Sequence, residues 1–300
     1  MVTLTSLLKT WHFKLVALLA ILVLTSSSLA AQTLPRPDHI VIVVEENFAF
    51  KQIIGAGEVV YINSLVNEGA LLTQFFAEHH PSQPNYFVLF SGGQQGVVND
   101  QCSPTSPAKK APSLGGQLIS KGLTFIGYSE DLPKVGSKTC GAGLYARKHA
   151  PWISFADVPN EASRPFTDFP TNFDQLPTIA FVIPNLVNDM HNGTFGQRRK
   201  IGDKWLKEQL NSYKEWALTH NSLLIITWDE DDKPKSVAGA NTHPPANHIA
   251  TILVGQMVKP RAKSDKQYTH RDLLRTLQEM YGLPTLPGTK DAIVIDDIWK

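Results

Sequence analysis

Six short apolar runs recur along the chain, at 39–44, 71–76, 123–128, 179–183, 223–228 and 249–254, each bounded by polar or turn-forming residues. Runs of this length and near-continuous hydrophobicity suit strands buried on both faces of a parallel sheet. Between them, apolar residues fall at helical spacing: Trp205, Leu206, Leu210, Tyr213 and Ala217 across 202–219, then Leu273, Leu274, Leu277 and Tyr281, closed by Gly282 and Pro284. Strands alternating with helices predict an α/β fold, a mostly parallel central sheet with helices on both faces. No internal repeat, heptad pattern or long low-complexity tract interrupts it.

Residues 1–30 read as a signal peptide. Lys9 and Lys14 flank a polar start, the apolar run at 15–24 is too short for the roughly 20 residues a bilayer needs, and Ser28-Leu29-Ala30 offers small residues for cleavage after Ala30. An uncleaved N-terminal anchor is the alternative. After cleavage no stable membrane anchor is expected, and residues 31–300 would form a single catalytic domain, exported to the periplasm or the exterior. Lys and Arg total 28 against 27 Asp and Glu, so no basic excess exists to hold nucleic acid, and the charge favours a small substrate. Two cysteines are present, and in an oxidising compartment Cys102 and Cys140 are expected to pair, stapling a Pro-, Gly- and Ser-rich stretch.

In sheets of this kind ligands sit beyond the carboxyl ends of the strands. The residues there are acidic: Glu45-Glu46-Asn47 after the first run, Asp229-Glu230-Asp231-Asp232 after the fifth, and Asn188-Asp189-Met190-His191 beyond the fourth. Carboxylates crowded on one rim repel one another unless a cation lies between them. Oxygen donors suit Mg²⁺, Ca²⁺ or Mn²⁺, while His191 near Asp189 would admit Zn²⁺ or Fe. The second element is His80-Pro81-Ser82-Gln83-Pro84-Asn85-Tyr86. Pro84 fits the first turn of a helix, which puts Ser82 at a helix N-terminus, where backbone N–H groups favour a phosphoryl anion. Read alone, Ser82 fits a helix cap at least as well as a nucleophile.

Together, Val44-Glu45-Glu46-Asn47, His80 to Tyr86, Phe90-Ser91-Gly92, Gly127-Tyr128-Ser129-Glu130-Asp131-Leu132-Pro133, Arg147-Lys148-His149, Pro184-Asn185, Asn188 to His191 and Thr227 to Asp231 resemble the phosphoesterase family. That family includes acid phosphatases and bacterial phospholipases C, within the alkaline-phosphatase-like superfamily. The resemblance implies an alkaline-phosphatase-like fold, Ser82 as nucleophile, and Glu46, Asn47, Asp229 and Glu230 as metal ligands, with Asp189 a further candidate. Asn99 is similar to the asparagine that holds a phosphoryl oxygen. Arg147, Lys148 and His80 are candidate substrate-binding groups, and His191 or His149 would protonate the leaving oxygen. One divalent cation is expected, with a second left open. His243 reads as loop, and His248 precedes its strand.

The function implied is hydrolysis of small phosphate monoesters, of acid-phosphatase type, through a phosphoserine. A phospholipase C-type phosphodiesterase is the first alternative, and a secreted, non-catalytic binding module on the same fold the second. Oligomeric state is left open by the sequence.

Overall fold

Eight strands form one sheet in the order β10-β2-β9-β8-β1-β7-β3-β6. In the computed structural model, which describes residues 34–102, 110–232 and 247–300, they span β1 His39–Glu45, β2 Ala70–Phe76, β3 Phe125–Ser129, β6 Ser163–Pro165, β7 Ile179–Ile183, β8 Ser222–Trp228, β9 His248–Gly255 and β10 Ala262–Thr269. A small hairpin, β4 Gly141–Ala142 and β5 Tyr145–Ala146, stands apart. Pairing is parallel from β8 through β1, β7 and β3 to β6, and between β10 and β2; β9 runs against both its neighbours. The fold is therefore α/β with a mostly parallel sheet, as expected. The proposed signal peptide and His243 lie outside the described residues. Among the described residues no helix is long and apolar enough to cross a membrane.

The central strands β7 and β8 are buried at every position, and β1 at all but its first, because helices cover both faces. The helices are α1 Phe50–Ile53, α2 Val60–Glu68, α3 Ser82–Ser91, α4 Leu114–Ser120, α5 Phe195–Ala217 and α6 His270–Met280. On one face α5 packs on α2 and on β8 and β9; α3 packs with α4 and α6. Gly127 on β3 is glycine for a packing reason: a Cβ there would lie 2.1 Å from the Trp152 ring.

Three differences from the sequence reading have local causes. α5 begins at Phe195, seven residues before the readable pattern, because its first turns face solvent and carry no apolar stripe. β6 and β10 are absent from the apolar runs because they are the edges of the sheet; β10 carries Lys263, Asp265 and Lys266 facing water, as edge strands do. β3 starts at Phe125, two residues into the apolar run, because the Leu123 N–H still bonds back to Leu118 O at the end of α4.

α2 has no cap of its own. Asp203, buried on α5, supplies it from outside by accepting from the backbone N–H groups of Val60, Tyr61 and Ile62 at 3.1, 3.0 and 2.8 Å. The carboxylate also lies at the positive end of the helix dipole. Asp203→Ala should lower stability by about 2–3 kcal/mol, the scale of hydrogen bonds to a charged group, read as a lower denaturation midpoint with an unchanged slope. A midpoint equal to wild type would show that α2 does not depend on this carboxylate.

Candidate active site

Strand register brings the site together. Glu45 pairs with Trp228 at the ends of β1 and β8, so Glu46 and Asn47 emerge beside Asp229 and Glu230. Alternation along the strand sends Glu45 and Glu46 to opposite faces. Glu46 turns toward α3, while Glu45 is buried on the other side with both carboxylate oxygens unpartnered, and burial, with nearby Asp189, holds its pKa well above the usual carboxylate range. The acidic cluster read from sequence is thus divided between two faces. Asn47 takes a left-handed conformation, φ 36°, which this residue type tolerates better than most. Its backbone N–H meets Asp229 Oδ1 at 3.3 Å and its side-chain amide meets Glu230 Oε1 at 3.0 Å.

β2 leads through Ala77-Glu78-His79-His80-Pro81 into α3, with Ser82 as the first helical residue and Pro84 in the first turn. Ser82 is buried, and its Oγ lies 3.0 Å from Glu46 Oε2 and 3.0 Å from Glu230 Oε1, while Asn47 Nδ2 donates to it at 3.3 Å. One hydroxyl proton serves two carboxylates, so either can accept it. Asp229 is fully buried beside them and its Oδ2 has no partner. Burial, reinforced by the charges of Glu46 and Glu230, pushes the Asp229 carboxyl well above its ordinary pKa. Glu230 is also raised by burial, against the opposing pull of His80.

Two histidines neutralise this acid from behind. His80 lies between Glu230 Oε2, at 2.5 Å from Nδ1, and Asp231 Oδ1, at 3.4 Å from Nε2. Burial works against its protonation, but the bonds to Asp231 and Glu230 raise its pKa to about 9. His149, 1 % exposed, lies 2.9 Å from Glu46 Oε1 and 3.3 Å from Asp189 Oδ2 and is likewise raised to about 9, its carboxylates outweighing burial. Burial alone would raise the pKa of Glu46, but the adjacent His149 charge holds it well below the carboxylate range. Tyr86 completes this layer: its hydroxyl donates to Glu46 Oε1 at 2.6 Å and its ring stacks on His149.

The structure brings Glu46, Asn47, Ser82, Asp229 and Glu230 together. Asp189, expected as a ligand, instead reaches Glu46 only through His149 and its own backbone carbonyl. His80, expected to touch substrate, lies between two carboxylates, and His149 has a carboxylate beside each ring nitrogen, whereas His191 is partly exposed and stands beside Lys148. Its Nε2 is 3.3 Å from Lys148 Nζ and its Nδ1 meets Asn192 Oδ1 at 2.9 Å. Asn99 is exposed; its side chain accepts from Gln101 N and its carbonyl accepts from Gln83 Nε2. Arg147 is buried and donates to Lys138 O and to Cys102 Sγ, supporting the loop closed by the Cys102–Cys140 disulfide. Lys148 is mostly buried, and its pKa is raised: burial opposes the charge, but Glu46 and Asp100 more than compensate.

The sequence gives no individual role to Tyr86, Asp100, Asp231 or Asn247, although Tyr86 and Asp231 lie within its motifs. Tyr86 carried a signal, since it lies four residues from Ser82 on the same helical face. Asn247 and Asp231 hold each other reciprocally, the backbone N–H of each donating to the other's side chain, and no local pattern links them.

Glu46, Asp229 and Glu230 bring carboxylate oxygens together, and the buried, unpartnered Asp229 Oδ2 fits a hard divalent cation; Asn47 presents its amide N–H to Ser82 and Glu230 and would have to turn its Oδ1 inward to join such a set. Among the described residues no group of three or more His, Cys, Asp or Glu side chains is arranged to hold a metal ion.

A sequence profile of the Phosphoesterase family matches residues 56–284. A phosphatidylinositol-3-phosphatase of Mycobacterium tuberculosis is 46% identical over 273 residues, covering 90% of this chain and 86% of that protein. A phosphate-repressible acid phosphatase of Penicillium chrysogenum is 31% identical over 240 residues, covering 75% of this chain and 55% of its own length. The chain thus spans about half of this fungal relative. Among solved structures, an alkaline phosphatase superfamily protein from Vibrio parahaemolyticus superposes with TM-score 0.60 at 15% identity, over 86% of this chain and 70% of that one. The lipoteichoic acid synthase LtaP of Listeria monocytogenes gives 0.59 at 13%, over 87% and 76%. At such identities these two show the fold alone.

The strand that delivers Asp229 is held from below by α6. His270, fully buried, faces Trp228 O at 2.9 Å and Glu78 Oε2 at 2.8 Å. Burial would raise the Glu78 carboxyl, but His270 and the Arg271 N–H outweigh it and hold its pKa below the usual value. A depressed native pKa contributes stability above the unfolded value of about 4.3 and forfeits it as pH falls through the native value. Glu78→Gln should therefore be less stable than wild type at pH 7 and lose less on acidification from about pH 5 to pH 3, followed by thermal unfolding. An acid limb as steep as that of wild type would mean that Glu78 contributes nothing to it.

Proposed function

The chain belongs to the Phosphoesterase family, and from that premise we propose that it is a metal-dependent phosphomonoesterase whose nucleophile is Ser82. The observation that carries this reading is the Ser82 hydroxyl, buried at the start of α3 and within 3.0 Å of both Glu46 and Glu230. A structural helix cap would need its oxygen turned to the helix backbone; Ser82 makes no such bond and is aimed at acid.

Glu46, Asn47, Asp229 and Glu230 would hold a divalent cation, which when bound lowers the pKa of a nearby hydroxyl and stabilises charge on phosphoryl oxygens. This chain's own residues do the rest. Glu46 or Glu230 accepts the Ser82 proton, Ser82 Oγ attacks phosphorus, and the alcohol leaves opposite it. Lys148 offers a cation to the phosphoryl oxygens at the mouth. His191, beside it, is our candidate for protonating the leaving oxygen; His149 and His80 orient Glu46 and Glu230. Water then cleaves the phosphoserine and frees phosphate and Ser82. The Cys102–Cys140 disulfide supports a place outside the cytoplasm, periplasmic or extracellular.

The relatives' names favour monoesters, and one of them is named for a phosphorylated inositol lipid. Turnover of p-nitrophenyl phosphate and phosphatidylinositol 3-phosphate should exceed that of bis-p-nitrophenyl phosphate. Ser82→Ala should reduce it by at least about a thousandfold, the scale on which loss of a nucleophile acts, and chelation should abolish it reversibly, with add-back of single metals identifying the cation. Preference for the diester would favour the phosphodiesterase reading, and a Ser82→Ala variant with wild-type turnover would overturn the nucleophile.

A further inference from the structure

We propose that Asp100 is a positioning residue that fixes the Lys148 ammonium at the mouth of the Ser82 site and thereby sets the affinity for a phosphoryl dianion. The inference rests on the reading of that site as a phosphate-ester site. One carboxylate oxygen of Asp100 accepts from the backbone N–H of Gln83, the residue after Ser82, at 3.0 Å; the other accepts from Lys148 Nζ, also at 3.0 Å. A single side chain therefore ties the turn that carries Ser82 to the Lys148 ammonium, which lies close enough to Glu46 and Asp229 to feel their charge.

The segment that carries Asp100 is held on both sides. Gln83 Nε2 donates to Asn99 O at 2.6 Å and to Gln101 O at 2.9 Å, which fastens it to α3. The Cys102–Cys140 disulfide, with Arg147 donating from its backbone to Cys140 O and from Nη2 to Cys102 Sγ, fastens it to the stretch leading to Lys148. Asp100 and Lys148 are thus brought together by constraints independent of their own ion pair. A solvated ion pair on a loose loop would need none of them.

The chemistry requires such a device. A dianion entering the site meets Glu46, Asp229 and Glu230, and an unheld lysine would extend its ammonium into water, where it is best solvated. Lys148 has three N–H donors. Asp100 holds one of them, which leaves the others for a ligand oxygen, with His191 Nε2 3.3 Å from the same nitrogen. Asparagine at 100 would keep an acceptor for the Gln83 N–H and lose the charge that holds Lys148, so Asp100→Asn separates the two duties; Asp100→Ala removes both.

The test is a double-substitution cycle in the full chain. Asp100→Asn and Lys148→Met should each raise KM for p-nitrophenyl phosphate, and the inhibition constant of inorganic phosphate, by about tenfold, with kcat changed by less than about threefold. The double variant should be no worse than either single one, because the two residues act as one unit. Multiplicative effects, an unchanged KM and phosphate affinity in Asp100→Asn, or a loss confined to kcat or thermal stability would each overturn the proposal. Phosphate affinity is also read, without turnover, from the phosphate-induced rise in melting temperature in the Ser82→Ala background. That measurement decides on Asp100 even if Ser82 proves not to be the nucleophile.

Discussion

Like charge held together out of water is the constraint on which this end of the molecule depends. The parallel register of β1 and β8 leaves no choice about it: once Glu45 is opposite Trp228, Glu46 and Asn47 must emerge next to Asp229 and Glu230. In a medium of low effective dielectric, adjacent carboxylates cannot all ionise without a compensating cation. The protein supplies part of that compensation in His80, His149 and Lys148. Burial first, and then the charges of Glu46 and Glu230, still push the Asp229 carboxyl upward, and its Oδ2 has no partner.

The surrounding scaffold follows from that need. His149 can stay protonated in a fully buried position only because Glu46 and Asp189 flank it, and Tyr86 closes the remaining side with a stacked ring and a hydroxyl on Glu46. His80 is held likewise between Glu230 and Asp231, and Asp231 is in turn fixed by Asn247. These are charge-assisted contacts in buried surroundings, where removing one partner exposes the other to the full cost of desolvation. The two histidines are therefore expected to matter for folding as well as for orienting the carboxylates beside Ser82.

Much of this could be read along the chain, for reasons that differ by residue. The buried strands announced themselves because apolar runs need no knowledge of partners, and the acidic residues at their ends followed from where ligands bind in such sheets. The edge strands β6 and β10 were illegible because they face water and mimic loop composition. That Glu45 turns away from Glu46 was not legible, because a run of two acids does not say which faces which side until the strand is placed. The surroundings of His80 and His149 were illegible for a related reason: a histidine in a motif looks like a group for substrate, and only packing shows carboxylates beside both its nitrogens.

Asp100 is the sharpest case of what sequence withholds. It sits in a short polar stretch, Asn99-Asp100-Gln101, that has no periodicity, and the resemblance marks only its neighbour Asn99. Its neighbours in space, Gln83 and Lys148, are 17 and 48 residues away. A carboxylate this close to a site already rich in acid would, by charge alone, seem to hinder an anion. It helps because its charge is spent on Lys148, and because the ammonium it restrains is worth more to a dianion when fixed than when free to rotate into solvent. The same reasoning explains why the disulfide and Arg147 converge on this loop: orientation, rather than the number of positive charges, limits how well the mouth of such a site can receive phosphate.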